Sequence, residues 1–484
     1  MNKETNIFLF GFSIRQALII LLIVTFFLRF FRISYPTTFV FDEVYHGFTA
    51  VQYSLGSKEA WEWWTTPPKG VAFEWTHPPL AKEIMASSLV LFRTEEPWGW
   101  RIPGALLGTI CVYLVFLLGK MIFKNESVGL FSSFAFAFDG LNFVQSRTGM
   151  NDIYLVTFIL ASLVLFLRKK FVLSAILFGF ALASKWAAIY LLGVYGVLLI
   201  LDLKNFWKII YFLIFPISVY LFSYLPFFWL GHTFDQFLEL QRQMWYYHTH
   251  LKASHDYASP WWSWPFNLAP VWFHVDYYKD AMANIFTSGN PLLFWSGFVS
   301  MIFLIKGFIL SKKGQIIYLV LTALTFTIFA GILVTHPQII YYLNLNDPKE
   351  SVQVVSSKKL SSLLTYLLLA WGVISGLLAL FFTLKQGAHH QFLIIAGYFA
   401  FLLPWSVSPR IMFLYHYSAC VPFMAIALGY FLAHWYKKQK DMVIVFCLMI
   451  LVSFFWVYPF LTGLPLPKNL ISLFFGTNLT KNPF

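Results

Sequence analysis

Charge is what this sequence has least of: only 11% of its 484 residues are Asp, Glu, Lys or Arg, against roughly 25% in an ordinary soluble domain. So few charges cannot clothe a water-facing surface, and a soluble globular protein is excluded. Cysteine is nearly absent as well. Cys111, Cys420 and Cys447 all lie in apolar runs, so no disulfide-stapled ectodomain is expected. There is no internal repeat, no low-complexity tract, and no small-residue cleavage site after the first apolar run, which ends at Arg29 and Arg32. That run is read as a retained transmembrane helix. Acidic residues are scarcer than basic ones, 21 against 34, leaving a formal charge of +13. No dense basic stripe or nucleic-acid module accompanies the surplus, which sits in short runs between apolar stretches. This is the pattern of the positive-inside rule, so membrane lipids are the expected partners and nucleic acid is not.

What the sequence has in abundance is hydrophobic surface: 59% of residues are hydrophobic and 21% aromatic. A bilayer-crossing helix needs about 20 mostly apolar residues. Candidate spans fall at 16–33, 103–123, 127–144, 150–167, 171–184, 186–202, 208–228, 291–310, 316–335, 360–384, 391–406, 411–433 and 442–462. Several are short, so the expected count is about 11 to 13. With the N-terminus inside, inner connections carry Lys120 and Lys124; Arg168, Lys169 and Lys170; Lys204 and Lys208; Lys312 and Lys313; Lys385; and Lys437, Lys438 and Lys440. Lys349, Lys358 and Lys359 fall outside and break the alternation. The expected fold is an all-α integral membrane bundle, one domain over 1–484, with two long outer segments at 34–100 and 229–290. Long irregular connections in compact domains mostly serve function. The first carries Pro78 and Pro79, which open an apolar stretch, Leu80–Phe92, expected to lie flat on the membrane.

The first outer segment opens with FVFDEVYHGF, placing Asp42 and Glu43 just past the first span. Adjacent helical residues point about 100° apart, so one carboxylate is read as a working base and the other as a structural partner. Arg101, Arg147, Lys185 and Arg410 lie at outer ends of expected spans, on the side of the acidic pair. Together they make a receptor for a phosphate at headgroup level, Arg binding it bidentately and Lys as a point charge. His248, His250 and His255 raise the question of a metal, but HxH shares a face only in extended chain, and no Cys or acidic cluster completes a set. No metal ligand is assigned, and a need for a divalent ion stays open. One base, several cations and aromatic platforms suit transfer of a sugar from a lipid phosphate, because phosphate leaves readily once its charge is compensated.

FDEVYHGF (41–48), THPPLAK (76–82), RIPGAL (101–106), SKWAAIY (184–190), HTHLKASHDYASPWWSWP (248–265) and RIMFLYHY (410–417) occur in one order. On these motifs the chain resembles the protein O-mannosyltransferases of the glycosyltransferase C superfamily, from about Arg29 to Tyr417. The resemblance implies transfer of mannose, with inversion, from polyprenyl-phosphate mannose to Ser or Thr hydroxyls of proteins on the extracytoplasmic face, the acceptor emerging from translocation. It implies Asp42 as general base and Glu43 as an orienting acid. Arg101 and Lys185 follow as donor-phosphate or scaffold residues, and His77, His248, His250 and Arg410 as further members of the site. No bound cofactor is implied beyond the donor lipid. Two departures stand out. The second outer segment runs from WWSWP straight to GNPLLFW without the globular insert of eukaryotic members, which points to a prokaryotic plasma membrane rather than the endoplasmic reticulum. Trp75 stands where the family commonly has an acid two residues before the His of HPPL, with Glu74 one position earlier. Two other readings keep part of this picture: transfer of a different sugar to a lipid or glycan acceptor, and a membrane transporter, which the absence of repeats and the placement of acids and histidines mainly in outer segments disfavour.

Overall fold

The computed structural model describes residues 7–9, 12–251, 253–309 and 389–475. The chain divides into one unit of Met1–Met301 and Leu393–Phe484 and a second of Ile302–Phe392. Every site residue named below lies in the first. The expected spans at 316–335 and 360–384, with Lys312, Lys313, Lys349, Lys358, Lys359 and Lys385, fall outside the described residues.

After a short N-terminal strand pair, β1 (Ile7–Leu9) and β2 (Phe12–Ser13), helix α1 runs over Ile14–Phe30. Its start is fixed by a capping box in which the Ser13 hydroxyl accepts from Gln16 N at 3.2 Å and Gln16 Oε1 accepts from Ser13 N at 2.9 Å. The outer segment then folds into α2 (His46–Ser54) and α3 (Leu80–Phe92). α3 buries Ala81, Lys82, Met85 and Leu89 in protein, while Val90, Leu91 and Phe92 stay exposed at its end.

Helix α4 (Pro97–Phe123) follows, then the pair α5 (Glu126–Ala137) and α6 (Gly140–Arg147), bent by 63°. The bend has a local cause: the Asp139 carboxylate accepts from Leu141 N and Asn142 N at 3.2 and 2.8 Å, starting a new helix inside an apolar stretch. Next come α7 (Asp152–Leu167), α8 (Phe171–Ser184), α9 (Tyr190–Leu201), α10 (Ile209–Phe222), α11 (Leu225–Trp229) and α12 (Phe234–His250). The rest of the described chain adds α13 (Pro291–Ile309), α14 (His389–Leu402), α15 (Val421–Tyr436), α16 (Lys440–Thr462) and α17 (Lys468–Phe475). One polar cluster in this apolar bundle satisfies itself: the Ser162 hydroxyl lies 2.6 Å from Tyr195 OH and 3.1 Å from Ser174 Oγ.

Among the described residues three helices are long and apolar enough to cross a membrane, Pro97–Phe123, Lys204–Trp229 and Lys440–Thr462, or four with the bent pair. The expected spans at 150–167, 171–184, 186–202, 291–310 and 391–406 are present as shorter apolar helices. Two expectations need correction. The span at 411–433 begins only at Val421, because the preceding RIMFLYHY stretch turns into the protein as a short 3-10 helix, Leu414–Ala419, with Tyr415, His416 and Tyr417 buried. The all-α reading also misses a hairpin in the second outer segment. There β3 (Val271–Tyr277) pairs antiparallel with β4 (Ala281–Thr287), and β5 (Pro465–Pro467) adds to β4. VWFHVDY is rich in the β-branched and aromatic residues that favour a pleated, half-buried surface.

Helix direction divides the bundle into two ends. α4 and α7 lie side by side and parallel, since a Cβ on Gly104 would meet Ile153 Cγ2 at 3.6 Å and Cys111 Sγ lies 3.0 Å from Thr157 Oγ1, so their beginnings share one end and Lys124 and Arg168 the other. At that second end Lys169 Nζ stands 3.9 Å from Asp202 Oδ2, and Lys208 Nζ lies 4.5 Å from the Phe171 ring centre. Phe123 stacks on Tyr430 at 4.4 Å and Phe131 meets Tyr436 at 5.5 Å, bringing Lys437, Lys438 and Lys440 there too. The acidic pair, the HPPL turn and the irregular RIMFLYHY stretch all sit at the first end.

Candidate active site

The carboxylates of Asp42 and Glu43 occupy different worlds. The chain enters this turn through Phe41 at φ 45°, a left-handed conformation uncommon for a bulky residue. Its ring is held by stacking on Phe273 of β3 at 4.3 Å and 7°. Glu43 points inward and is fully buried. Its Oε1 accepts from Trp100 Nε1 at 3.0 Å, Arg101 Nε at 2.8 Å and Gly149 N at 2.8 Å; its Oε2 accepts from Val40 N at 3.0 Å and Arg101 Nη2 at 2.6 Å. A carboxylate with five donors has no lone pair left for a substrate.

Arg101 is consumed in the same knot. Beyond its two bonds to Glu43, Nη1 donates to the carbonyls of Ile33 and Pro36 at 3.2 and 2.8 Å, and Nη2 to that of Thr38 at 3.1 Å. All five guanidinium N–H groups are engaged, which favours the scaffold alternative for Arg101 and leaves no donor free for a phosphate. Arg147 is engaged likewise with the carbonyls of Arg29, Leu461 and Phe31. Of the four cations expected to converge, these two pin backbone segments together.

Asp42 points the other way, partly exposed, and no group among the described residues hydrogen bonds its carboxylate. Burial and the charge of Glu74 push it up to about 7, against the pull of Lys185 and Arg410. Lys185 follows directly on α8, and its Nζ donates to Asp152 Oδ1 and Oδ2 at 2.8 and 2.9 Å. Asp152 begins α7 and was not singled out from the sequence, although it lies five residues from Arg147 in SRTGMNDIY (146–154); an acid at a helix start has an ordinary explanation in the helix dipole. The Tyr415 ring lies 5.9 Å from Lys185 Nζ and 5.7 Å from the Phe41 ring, making an aromatic wall beside Asp42.

The HPPL turn supplies the opposite wall. Glu74 Oε1 accepts from Thr76 Oγ1 at 2.6 Å and His77 N at 2.9 Å, and His77 Nδ1 lies 3.3 Å away. His46 Nδ1 stands 3.5 Å from Glu74 Oε2, without hydrogen-bond geometry. Burial pushes Glu74 up, but His77, Lys82 and His46 overcome it and hold the carboxyl well below its usual range. Buried Lys82 ties the turn by donating from Nζ to the carbonyls of Glu74 at 2.6 Å and His77 at 2.9 Å.

His248, near the end of α12, reaches this turn: its Nε2 is 2.8 Å from the Thr76 carbonyl and its Nδ1 is 2.6 Å from Arg410 Nη1. His77 and His248 rings meet at 5.2 Å. Arg410 Nε is buried without a partner. His250 is not part of this constellation. Two residues further along the same helix it faces about 200° away, is exposed, and stacks on Tyr246 at 4.2 Å. Helical rather than extended chain separates the HxH pair. Among the described residues no group of three or more His, Cys, Asp or Glu side chains is arranged to hold a metal ion.

A helical membrane scaffold that gathers one free carboxylate, two cations and aromatic walls at one end of its bundle defines a membrane-embedded group-transfer enzyme. The family described as dolichyl-phosphate-mannose-protein mannosyltransferase matches residues 19–249, and the C-terminal four-helix membrane region of protein O-mannosyltransferase matches 233–344. A polyprenol-phosphate-mannose–protein mannosyltransferase of Mycolicibacterium smegmatis is 22% identical, over 91% of this chain and 88% of the relative. One from Mycobacterium tuberculosis is 25% identical over 41% of this chain and 52% of its own. A solved S. cerevisiae protein O-mannosyltransferase complex bound to the sugar donor superposes with a TM-score of 0.62 at 14% identity, covering 97% of this chain and 93% of that one, which gives the fold. The chain belongs to the protein O-mannosyltransferase family and is a glycosyltransferase.

Proposed function

We propose that this enzyme transfers mannose from polyprenyl-phosphate mannose to Ser or Thr hydroxyls of proteins at the extracytoplasmic face of a prokaryotic plasma membrane, with inversion. The observation that carries the reading is the contrast within the acidic pair: Glu43 is saturated, while Asp42 is unpartnered and faces the charges of Lys185 and Arg410. Asp42 takes the proton of the acceptor hydroxyl. The hydroxyl oxygen attacks the anomeric carbon from the face opposite the phosphate, the bond from that carbon to the phosphate oxygen breaks, and polyprenyl phosphate leaves with its charge compensated by Arg410 and Lys185. One displacement inverts the centre. A base poised near 7 suits this task, since it is ionised enough to act and basic enough to pull.

The reading includes a span count of 11 to 13, outer segments at 34–100 and 229–290 that roof the site, and an acceptor delivered as it emerges from translocation. Basic connections gathered at the end of the bundle away from Asp42 support an outward-facing site. The test is transfer of labelled mannose from polyprenyl-phosphate mannose to a Ser/Thr-rich peptide by membranes carrying wild type or Asp42→Asn. Wild-type transfer that falls at least about a hundredfold in the variant is expected. Undiminished transfer by a folded Asp42→Asn removes the base, and no transfer by folded wild type removes mannose or the protein acceptor.

A further inference from the structure

Arg410 is the cation of the site that the scaffold leaves open, and what aims it is a histidine. Its segment, between Pro409 and the Leu414–Ala419 turn, is irregular, so no helix fixes the direction of its side chain. The contact that does is Nη1 to His248 Nδ1 at 2.6 Å, with the guanidinium lying 5.9 Å from the Tyr247 ring. A guanidinium only donates, so Nδ1 must offer a lone pair. On the other side of the ring the Thr76 carbonyl, 2.8 Å from Nε2, only accepts, so Nε2 must carry the proton. The two neighbours demand the same neutral tautomer. Burial and the Arg410 charge push His248 down to about 4, in keeping with a neutral ring.

The carbonyl that imposes the tautomer is itself fixed. Thr76 donates to Glu74 at 2.6 Å, and Lys82 clamps the carbonyls on either side. The ring meets His77 edge to face at 5.2 Å and Trp186 at a tilt at 5.8 Å. A path of hydrogen bonds therefore runs from the HPPL turn through one imidazole to the RIMFLYHY arginine, joining segments 162 residues apart in sequence at its last step.

We infer that His248 is a positioning residue: locked by the Thr76 carbonyl as the Nε2–H tautomer, it presents Nδ1 to Arg410 and so aims the guanidinium at the phosphate of the lipid donor. The inference rests on the proposed function for the phosphate, but not for the sugar. His248 touches neither base nor acceptor in this scheme and acts through Arg410 alone. Its loss therefore weakens phosphate binding and adds nothing once Arg410 is gone.

The experiment uses the full-length protein in detergent and a short-chain polyprenyl monophosphate as probe, with binding read from tryptophan fluorescence. His248→Phe keeps a ring between His77 and Trp186 and removes both nitrogens; His248→Ala replaces it if the Phe variant does not fold. Either weakens binding roughly tenfold to a hundredfold, the range for a hydrogen bond to a charged group. Arg410→Ala loses at least as much, and the double variant binds no more weakly than Arg410→Ala, the signature of two residues acting as one. His248→Gln, whose amide offers an acceptor and a donor at similar spacing, recovers binding to within about threefold of wild type. Additive losses in the double variant overturn the inference, as does His248→Gln binding as poorly as His248→Phe. Coupled losses in a protein that transfers no mannose overturn only the proposed sugar, and a folded wild type that does not bind the probe overturns both.

Discussion

At the scale of single residues, neighbours decide which charges work. Asp42 is pushed up to about 7 by burial and Glu74, and as a base it acts only when ionised. The expected kcat/KM for transfer therefore falls about tenfold per pH unit below about 7 and levels above it. Lys185 pulls Asp42 down, so Lys185→Met moves that acid limb to higher pH; a limb that stays in place removes Asp42 as its source. Arg101 gives the opposite kind of prediction. Lysine has three donors on one point and cannot reproduce a five-donor fork, so Arg101→Lys leaves Glu43 and three carbonyls short of partners. Breaking a buried pair of this kind costs about 3–5 kcal/mol, and the expected outcome is a lower melting temperature and less folded protein. Normal thermal stability with a weakened affinity for polyprenyl phosphate alone would return Arg101 to the phosphate site. The sequence pointed to both arginines for one reason, position at the outer end of a span. It did not tell Arg101 from Arg410, because the difference lies in whether the carbonyls of Ile33, Pro36 and Thr38 arrive at the guanidinium. Those contacts are made only by the folded chain.

At the scale of elements, hydropathy marks apolar length well and direction poorly. α1, α7 and α8 begin and end within three residues of their expected spans, whereas α4 starts six residues before its expected 103 and carries Arg101 inside the helix. RIMFLYHY failed as the start of a span because its apolar and aromatic residues read as lipid-facing, yet Tyr415, His416 and Tyr417 are buried in protein. The hairpin failed because period-two patterning in seven residues is a weak signal beside that of a membrane helix. Close helix packing was not legible either, since it depends on which glycine meets which backbone. A Cβ on Gly429 of α15 lands 2.2 Å from Ser132 Oγ and 2.5 Å from Ser132 N on α5, and one on Gly129 lands 2.6 Å from the Phe116 carbonyl of α4. Backbone cannot step aside as a flexible side chain can. Gly129→Ala is expected to cost about 1–3 kcal/mol, as overpacking does, and to lower the melting temperature in detergent. Gly196 of α9 meets nothing within 4 Å, so Gly196→Ala is neutral or slightly stabilising. Equal effects at the two positions would remove the close approach of α4 and α5.

For the whole molecule, the question is which end of the bundle faces out. The site and the short basic connections sit at opposite ends. Asp42, Glu74, His77, Lys185, His248 and Arg410 share the end where α4 and α7 begin, whereas Lys124, Arg168, Lys169, Lys170, Lys204, Lys208 and the Lys437–Lys440 turn share the other. Positive charge is retained on the cytoplasmic side, chiefly in short connections such as these. A connection of three residues that are all basic, 168–170, is costly to carry across, which supports the proposed export of the site end. Two exposed positions report this directly: His250, on the solvent side of α12, and Lys169, whose side chain is 71% exposed. With Cys111, Cys420 and Cys447 replaced by serine, His250→Cys is expected to react with a membrane-impermeant maleimide on intact cells. Lys169→Cys is expected to react only after the membrane is opened. The two sites lie at opposite ends of one bundle, so both labels must change together if the orientation is reversed. Reversal would put Asp42 on the cytoplasmic side, where an acceptor emerging from translocation never meets it, and the proposed acceptor would fall with the topology.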